Sequence, residues 1–253
     1  MSVGESGGTA GIRWESATPD ARLTWGRAVT GDAFVERLLR WWSPSPHAQL
    51  LEIGPGYGRL LRSLHARRVP FGQYVGVDRS RANCEALTQV FRDDPRVSFV
   101  CADAATVRLE RPFDVLISSL TLKHLHPTFA PALANLVPQA RAEAEFVFDL
   151  LEAQLGGLAT DLARGALGRV RFEAATGPSI ERLRTALRVG YGFFERDGGA
   201  YVRRYARAGL PALLAGCGLE LRAFDHVQHD RGHRRLLVVA RPRGGPPAAG
   251  TTG

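Results

Sequence analysis

The chain has 253 residues, of which 45% are hydrophobic, and this is enough to bury the core of one domain of ordinary size. No stretch approaches the roughly 18 apolar residues of a membrane span, and the first residues lack the basic-then-apolar layout of a signal peptide. The three cysteines are scattered and match neither a disulfide framework nor the spacing of a metal site. We therefore expect a cytoplasmic protein without a membrane partner.

The positive charge of the chain reflects an excess of arginine. The formal net charge is +8 and the sequence pI is about 10.2, which would permit a nucleic-acid partner. The charges are dispersed, however, and all but one of the 33 basic residues are arginine, the exception being Lys123. Together with the abundant alanine and glycine, this is typical of a GC-rich genome, so nucleic acid is not expected as a partner.

The N-terminal region is predicted to be a tail followed by a helix. Residues 1–20 are rich in Gly, Ser, Thr and Ala and are expected to be disordered. Residues 24–42 have a helical pattern of apolar side chains, and either Thr30 or Asp32 is expected to cap the helix.

The most informative stretch is QLLEIGPGYGRLL, residues 49–61. An apolar strand ends in glycines at alternate positions, Gly54, Gly56 and Gly58, and a helical pattern follows at once. Glycines let the backbone take positive φ and approach a ligand closely, and the amides that begin the helix face that ligand. The dinucleotide fingerprint G-x-G-x-x-G would need a glycine where Arg59 stands. The stretch therefore predicts a ligand site at the end of the first strand, with a glycine pattern other than the dinucleotide one.

Further strands follow, and two of them end in aspartate. Strands are predicted over residues 73–78, 97–103, 113–118 and 145–151, and helices over residues 80–92 and 127–138. Asp78 ends the second strand, 20 residues after Gly58, and can accept both hydroxyls of a ribose. Asp103 ends the third strand, and Ser119 follows the fourth.

The pattern E-x-G-x-G-x-G, followed by acids that end the second and third strands, resembles the class I S-adenosylmethionine (SAM)-dependent methyltransferases. The resemblance implies an α/β, three-layer Rossmann-like fold with helices on both faces of a seven-stranded sheet, of order 3-2-1-4-5-7-6, whose last strand is antiparallel. It implies SAM as the cofactor, with Asp103 near the adenine amino group. The residues that it implies for cofactor binding are Glu52, Gly54, Pro55, Gly56, Gly58, Asp78, Asp103, Ala104 and Ser119. Another Rossmann-like nucleotide-binding protein is the alternative.

The C-terminal part fits the same family. Residues 205–218 read as a helix that ends at glycine, and residues 219–227 and 234–242 read as two strands of a hairpin. A methyltransferase domain is thus expected over residues 21–242, with a disordered tail over 243–253. The Pro-Gly-Gly turn that the family commonly has before strand five is replaced by QARAEA.

Residues 151–205 form an insertion between strand five and the last helix. A helix is predicted over 179–189, and an aromatic hairpin over 191–205 that turns at Asp197-Gly198-Gly199. Insertions beside the carboxyl ends of strands are typically lids, substrate walls or dimer contacts. This one favours a small-molecule acceptor, and it leaves monomer and homodimer open.

The segment SSLTLKHLHP, just past strand four, contains the predicted catalytic residues. His124 is the candidate general base because its ordinary pKa lies near neutrality, and the alternative is that it caps or orients the next helix. Lys123 is predicted to hold an anionic group of the acceptor, although chance could also explain a single lysine. Asp149 and Glu152 are further candidate contacts to the acceptor.

Two other groups have weaker functional signals. The C-terminal hairpin contains Asp225, His226, His229, Asp230 and His233, but their spacing matches no ligand frame, and no metal is predicted. Helices before the first strand usually cover the cofactor cleft in this family, so Trp25 and Arg27 are candidates to touch cofactor or substrate. Simple packing of Trp25 is the alternative.

These observations predict SAM-dependent methyl transfer to an oxygen or nitrogen of a small molecule, for which specialised metabolism is one fitting context. The alternatives are an RNA or protein methyltransferase and a SAM-binding protein that transfers no methyl group. An N-P-P-Y-like motif after strand four would have favoured methylation of a nucleobase amino group, and SSLT stands there instead.

Overall fold

A computed structural model describes residues 31–173, 180–196, 199–227 and 235–244. Several predictions lie outside the described residues. They concern the tail 1–20, Thr30 as a cap, Trp25 and Arg27, the Asp197-Gly198 part of the turn, the residues His229, Asp230 and His233, and most of the tail 243–253.

In the described residues the chain forms ten β-strands and seven α-helices. The strands are β1 Gln49–Ile53, β2 Gln73–Asp78, β3 Val97–Cys101, β4 Phe113–Ser118, β5 Ala140–Glu152, β6 Val170–Phe172, β7 Gly190–Glu195, β8 Tyr201–Tyr205, β9 Leu219–Val227 and β10 Arg235–Pro242. The helices are α1 Asp32–Trp41, α2 Arg59–Ala66, α3 Arg81–Val90, α4 Ala130–Leu136, α5 Leu155–Ala166, α6 Ile180–Val189 and α7 Leu210–Gly216.

The central sheet has the predicted order. Strands β3, β2, β1, β4 and β5 are parallel neighbours in that order. Strand β10 pairs antiparallel with both β5 and β9, which places the last strand of the chain between them. The order 3-2-1-4-5-7-6 with an antiparallel last strand is therefore confirmed.

The sheet has ten strands rather than seven because the insertion adds β6, β7 and β8 to it. Strand β5 continues to Glu152, and its last two residues pair in parallel with Arg204 and Tyr205 of β8. The insertion thus extends the sheet beyond the carboxyl end of β5. This extension was not predicted, because two paired residues leave no periodic signal in the sequence.

Three helix starts differ from the predictions. Helix α7 begins at Leu210 and not at residue 205, because Tyr205 ends β8 and Arg207–Gly209 form a turn of 3-10 helix. Helix α1 has Gly31 at its cap and no capping side chain, so Asp32 is its first residue and not its cap. Helix α4 begins at Ala130 and not at Pro127, because Leu122–His124 form a turn of 3-10 helix and the chain passes through Pro127 before α4 starts. Ser80 caps α3 as predicted, since its hydroxyl accepts a hydrogen bond from the Asn83 amide.

Helices cover both faces of the sheet, in three layers. Helices α4 and α7 bury leucines on one face, and α1 and α2 bury phenylalanine and leucines on the other. Each fully buried side chain of this size contributes about 1.5–3 kcal/mol. The insertion has an apolar core of its own, made of Leu151, Ala153, Leu158, Val170, Ala186, Tyr191, Phe193, Val202 and Ala206. No helix in the described residues is long and apolar enough to cross a membrane.

Candidate active site

The glycine turn after β1 adopts the backbone that its sequence predicts. Gly54, Gly56 and Gly58 have φ of 67°, 56° and 71°, all in the left-handed region that disfavours other residues. A Cβ on Gly54 would lie 2.2 Å from Thr121 Cγ2, whereas a Cβ on Gly56 would meet no atom within 4 Å. The turn is therefore packed against the protein at Gly54 and open at Gly56.

Asp78 lies against this turn, as predicted. Its Oδ2 accepts a hydrogen bond from the Gly56 amide at 3.2 Å, and its Oδ1 accepts one from the Ser80 amide at 2.9 Å. Burial raises the pKa of Asp78, and these amide bonds oppose the rise. The structure thus brings together the glycine turn and the candidate ribose acceptor, which are 22 residues apart at Gly56 and Asp78.

Glu52 is enclosed by protein. Its side chain is 2% exposed, and the Tyr74 hydroxyl donates a hydrogen bond to its Oε2 at 2.5 Å. Burial raises the pKa of Glu52 to about 7, and the hydrogen bond from Tyr74 and the charge of Arg59 oppose the rise. A carboxyl group held in this way supports the strand below the turn, and a ligand would reach it only after rearrangement.

Asp103 and Ala104 follow β3. The Asp103 Oδ1 accepts a hydrogen bond from the Ala105 amide at 2.8 Å, and its Oδ2 lies 3.7 Å from Arg79 Nε. The Asp103 side chain stays 43% exposed, so it remains accessible to a ligand, whereas Ala104 is buried.

The loop after β4 is tied to β5 by a buried polar network. The Ser119 hydroxyl donates to Asp149 Oδ2 at 2.7 Å, and Arg235 Nη1 lies 2.8 Å from the same oxygen. Arg59 Nη2 donates to the Ser119 hydroxyl at 3.0 Å. The Leu120 amide donates to Asp149 Oδ1 at 2.9 Å, which holds Leu120 at a φ of 63°.

The same loop is tied to the glycine turn. The Thr121 hydroxyl donates to the Gly54 carbonyl at 3.0 Å. Sequence reasoning missed Arg59, Thr121 and Arg235. For Arg59 a signal existed, because it occupies the position where a dinucleotide fingerprint has glycine. For Arg235 the only sequence signal was its charge at the start of an apolar strand.

Both carboxylates named as candidate acceptor contacts already have protein partners. Asp149 is 1% exposed and accepts bonds from Arg235, Ser119 and the Leu120 amide. Glu152 Oε1 lies 2.6 Å from Arg207 Nε, and its Oε2 accepts from Gln154 at 2.8 Å. These groups are therefore better described as supports of the site.

His124 is bound to the insertion. Its Nδ1 lies 2.7 Å from the carbonyl oxygen of Tyr201 in β8. Because a carbonyl can only accept, Nδ1 carries the proton and Nε2 carries a lone pair. Burial and the charge of Lys123 lower the pKa of His124 to about 4, so the imidazole is neutral at pH 7.

Lys123 lies at the junction between the sheet and the insertion, because its 3-10 turn contacts both β5 and β8. Burial lowers the pKa of Lys123 to about 8, and the charges of Asp149, Arg235, Glu195 and Arg204 have smaller effects on it. No carboxylate oxygen in the described part of the chain lies within 4.0 Å of its ammonium group.

The described part of the histidine hairpin is bound to neighbouring elements. Asp225 Oδ2 lies 3.5 Å from Arg37 Nε of α1, and His226 Nε2 lies 2.6 Å from Arg207 Nη2. Among the residues that the structure describes, no group of three or more His, Cys, Asp or Glu side chains is arranged to hold a metal ion.

Comparison with known proteins agrees with this geometry. Residues 50–141, which include the glycine turn, Asp78, Asp103 and the loop after β4, match the family model "Methyltransferase domain". A malonyl-[acyl-carrier protein] O-methyltransferase of Priestia megaterium (strain DSM 319 / IMG 1521) is 33% identical over 92 residues, which are 35% of this chain and 33% of that enzyme. The match thus spans a third of that enzyme's length, and it identifies a domain and not the activity of the whole protein.

Solved structures match over nearly the whole chain. The 1,6-didemethyltoxoflavin-N1-methyltransferase of Burkholderia thailandensis has a TM-score of 0.63 at 18% identity, with 92% of this chain and 86% of that chain covered. The CcbJ methyltransferase of Streptomyces caelestis has a TM-score of 0.61 at 16% identity, with 92% and 99% covered. At such identities these structures show a shared fold only. Residues 50–141 thus match a methyltransferase domain, and the confirmed strand order is the one that was expected for such a domain.

Proposed function

We infer that this protein transfers the methyl group of SAM to an oxygen or nitrogen of a small molecule. The observation that carries this inference is the glycine turn, which is open at Gly56 and has the Asp78 carboxylate bonded to its backbone. The name of one structural relative supports a small acceptor, since it is a 1,6-didemethyltoxoflavin-N1-methyltransferase. The curated relative is named for a malonyl group carried by a protein.

The residues present fit the cofactor. The free space at Gly56 allows a ligand to lie against the backbone, and Asp78 offers a carboxylate beside it. Asp103 would lie near the adenine, at the end of the neighbouring strand β3. Glu52 and Ser119 would support the turn and the β4 loop from within the protein, because both are buried and hydrogen-bonded.

When bound, SAM supplies a methyl group already activated by a sulfonium sulfur. The acceptor oxygen or nitrogen would take this methyl group and give up a proton, and SAM would leave as the neutral thioether. Alignment of the acceptor can supply roughly 7–11 kcal/mol of the barrier reduction. The β4 loop is suited to that alignment, because Thr121 fixes it to the glycine turn and His124 fixes it to the insertion.

His124 would take the proton that a hydroxyl or amine acceptor loses. Its Nδ1 is held by the Tyr201 carbonyl, which leaves Nε2 as the basic atom. With a pKa of about 4 the ring is always available at neutral pH, although it is a weaker base than a free histidine. We expect its contribution at the lower end of the 10²–10⁴-fold that general bases provide.

The experiment is a transfer assay with methyl-labelled SAM. The protein is incubated with labelled SAM and an extract of the source organism, and small molecules, RNA and protein are then separated. We expect label among the small molecules, and none when Asp78→Ala replaces the wild type. Label in RNA or protein would contradict a small-molecule acceptor. SAM binding without transfer to any fraction would contradict an enzymatic role.

A further inference from the structure

The ammonium group of Lys123, on a side chain of intermediate exposure, is a cation for which the described residues provide no counter-ion. The structure gives it neither a hydrogen bond nor a carboxylate within 4.0 Å in the described ranges. Removing a cation even partly from water is costly unless an anion is placed beside it. An ammonium kept at such a position without a counter-ion therefore indicates a ligand that provides one.

The carboxylates around Lys123 are already bound to arginines. Asp149 lies 2.8 Å from Arg235 Nη1 and also accepts two other hydrogen bonds. Glu195 Oε1 lies 3.0 Å from Arg164 Nη2. Each nearby negative charge thus has a cation of its own, and the charge of Lys123 remains in excess.

Two buried arginines, Arg204 and Arg235, also lie at this junction. Arg204, which also acts on Lys123, is buried and held by Asp161 at 2.5 Å. Arg235 is 3% exposed, and its Nε has no hydrogen-bond acceptor among the residues that the structure describes. Donors and positive charge therefore outnumber acceptors where the insertion meets the sheet.

Lys123 also lies where an acceptor would have to bind. Its turn follows Thr121, which bonds to the glycine turn, and precedes the bond from His124 to the insertion. A molecule placed between the glycine turn and β8 would therefore lie beside the loop that carries this ammonium.

We propose that the methyl acceptor carries a carboxylate or phosphate group and that Lys123 binds this group. The proposal rests on the proposed function, because it names the acceptor of that site. The anion is a recognition group and not the atom that is methylated. An ammonium beside the attacking atom would stabilise the negative charge of that atom. Because this charge is lost as the methyl group is transferred, the ammonium would raise the barrier.

Nuclear magnetic resonance tests this directly on a single signal, because Lys123 is the only lysine of the chain. Protein grown with ¹³C-labelled lysine gives one ε-carbon signal, which Lys123→Gln assigns by its disappearance. Sodium phosphate and sodium acetate are titrated in the presence of S-adenosylhomocysteine (SAH), with sodium chloride at equal ionic strength as the reference. We expect a saturable shift of the signal with phosphate, acetate or both, and none with chloride.

The two oxyanions separate the sources, since saturation by phosphate alone indicates a phosphorylated acceptor and saturation by acetate alone indicates a carboxylic acid. By calorimetry, Lys123→Gln should weaken binding of the same ion roughly tenfold or more. Arg111→Gln, which removes an exposed charge at the opposite end of β4, should leave it unchanged. A response to chloride equal to that of the oxyanions, or no saturable response, would overturn the proposal. SAH binding is measured separately, and its absence would contradict the proposed function instead.

Discussion

At the scale of single residues, the glycine turn makes a prediction that two matched variants can separate. Gly54→Ala must both hold a left-handed φ and place a Cβ 2.2 Å from Thr121, whereas Gly56→Ala has the same backbone strain and open space. We expect Gly56→Ala to cost about 1–2 kcal/mol of the free energy of unfolding. Gly54→Ala should cost clearly more, as measured by urea unfolding. Equal costs would show that the turn does not pack against Thr121.

His124 should matter for turnover and not for cofactor binding. His124→Asn keeps a donor for the Tyr201 carbonyl but loses the basic Nε2. We expect kcat to fall about a hundredfold while the SAM affinity stays within about twofold. Because the pKa of His124 is near 4, the activity that depends on this ring should not decline between pH 8 and pH 5.5. Unchanged kcat in His124→Asn would assign His124 a purely positioning role.

The protonated side chain of Lys123 should lower the free energy of unfolding of the ligand-free protein. Its pKa falls from 10.5 to about 8 on folding, so the folded state disfavours the ammonium. The cost is fully present below pH 8 and disappears as pH rises through 10.5, where the unfolded chain also loses the proton. Because the side chain keeps some contact with solvent, we expect a cost of about 1–3 kcal/mol.

Lys123→Met should therefore be more stable than the wild type at pH 7, and the difference should shrink by pH 10. Urea unfolding at both pH values measures it. A Lys123→Met protein that is less stable at pH 7 would show that the ammonium is compensated in the folded state.

The residues of the turn could be predicted from the sequence because their spacing reflects local backbone geometry. Gly54, Gly56, Gly58 and Asp78 lie together as the strand–turn–helix pattern implied. The Arg235 partner of Asp149 could not be predicted, because the two are 86 residues apart and meet only through the pairing of β10 with β5.

At the scale of elements, the insertion depends on a buried ion pair. Asp161 of α5 accepts from Arg204 Nε of β8 at 2.5 Å and from the Tyr191 hydroxyl of β7 at 3.0 Å. Asp161→Asn would leave the Arg204 guanidinium buried without a counter-ion, which typically costs 3–5 kcal/mol. Because the insertion has its own apolar core, we expect the loss to be concentrated there.

Hydrogen–deuterium exchange tests this expectation. In Asp161→Asn the amides of β7 and β8 should exchange faster, while those of β1 and β4 stay protected. Thr160→Ala, at an exposed neighbouring position on α5, serves as the control. Equal loss of protection in β1 and β7 would contradict an insertion with a separate core.

The predicted positions of helices and strands are correct where the periodicity of apolar residues is strong, and they are wrong where it is weak. The strands β2, β4 and β9 have their predicted bounds. The start of α4 was wrong, because Pro127 suits the first turn of a helix but here belongs to the loop that Tyr201 and Arg203 bind through the Pro127 carbonyl. Contacts that the insertion makes with a loop 74 residues away have no local signature.

At the scale of the whole molecule, the β4 loop is held by three parts of the protein: the sheet, the glycine turn and the insertion. The sheet brings the turn and Asp78 together, and the buried network of Asp149 and Arg235 holds the loop at its edge. The insertion closes the other side through Tyr201. The order of the central strands could be predicted from a family pattern, whereas the extension of the sheet by β8 could not.

The central claim is that the glycine turn and Asp78 bind SAM, and calorimetric titration tests it most directly. We predict that the wild type binds SAM and that Asp78→Ala binds it about 10²-fold more weakly or worse, because two ribose hydroxyls lose a charged acceptor worth about 1.5–3 kcal/mol per hydrogen bond. Asp78→Asn, which keeps an oxygen for the Gly56 amide, should lie between them. Circular dichroism confirms that each variant is folded. Unchanged SAM affinity in a folded Asp78→Ala protein, or tighter binding of NADH than of SAM by the wild type, would contradict the account.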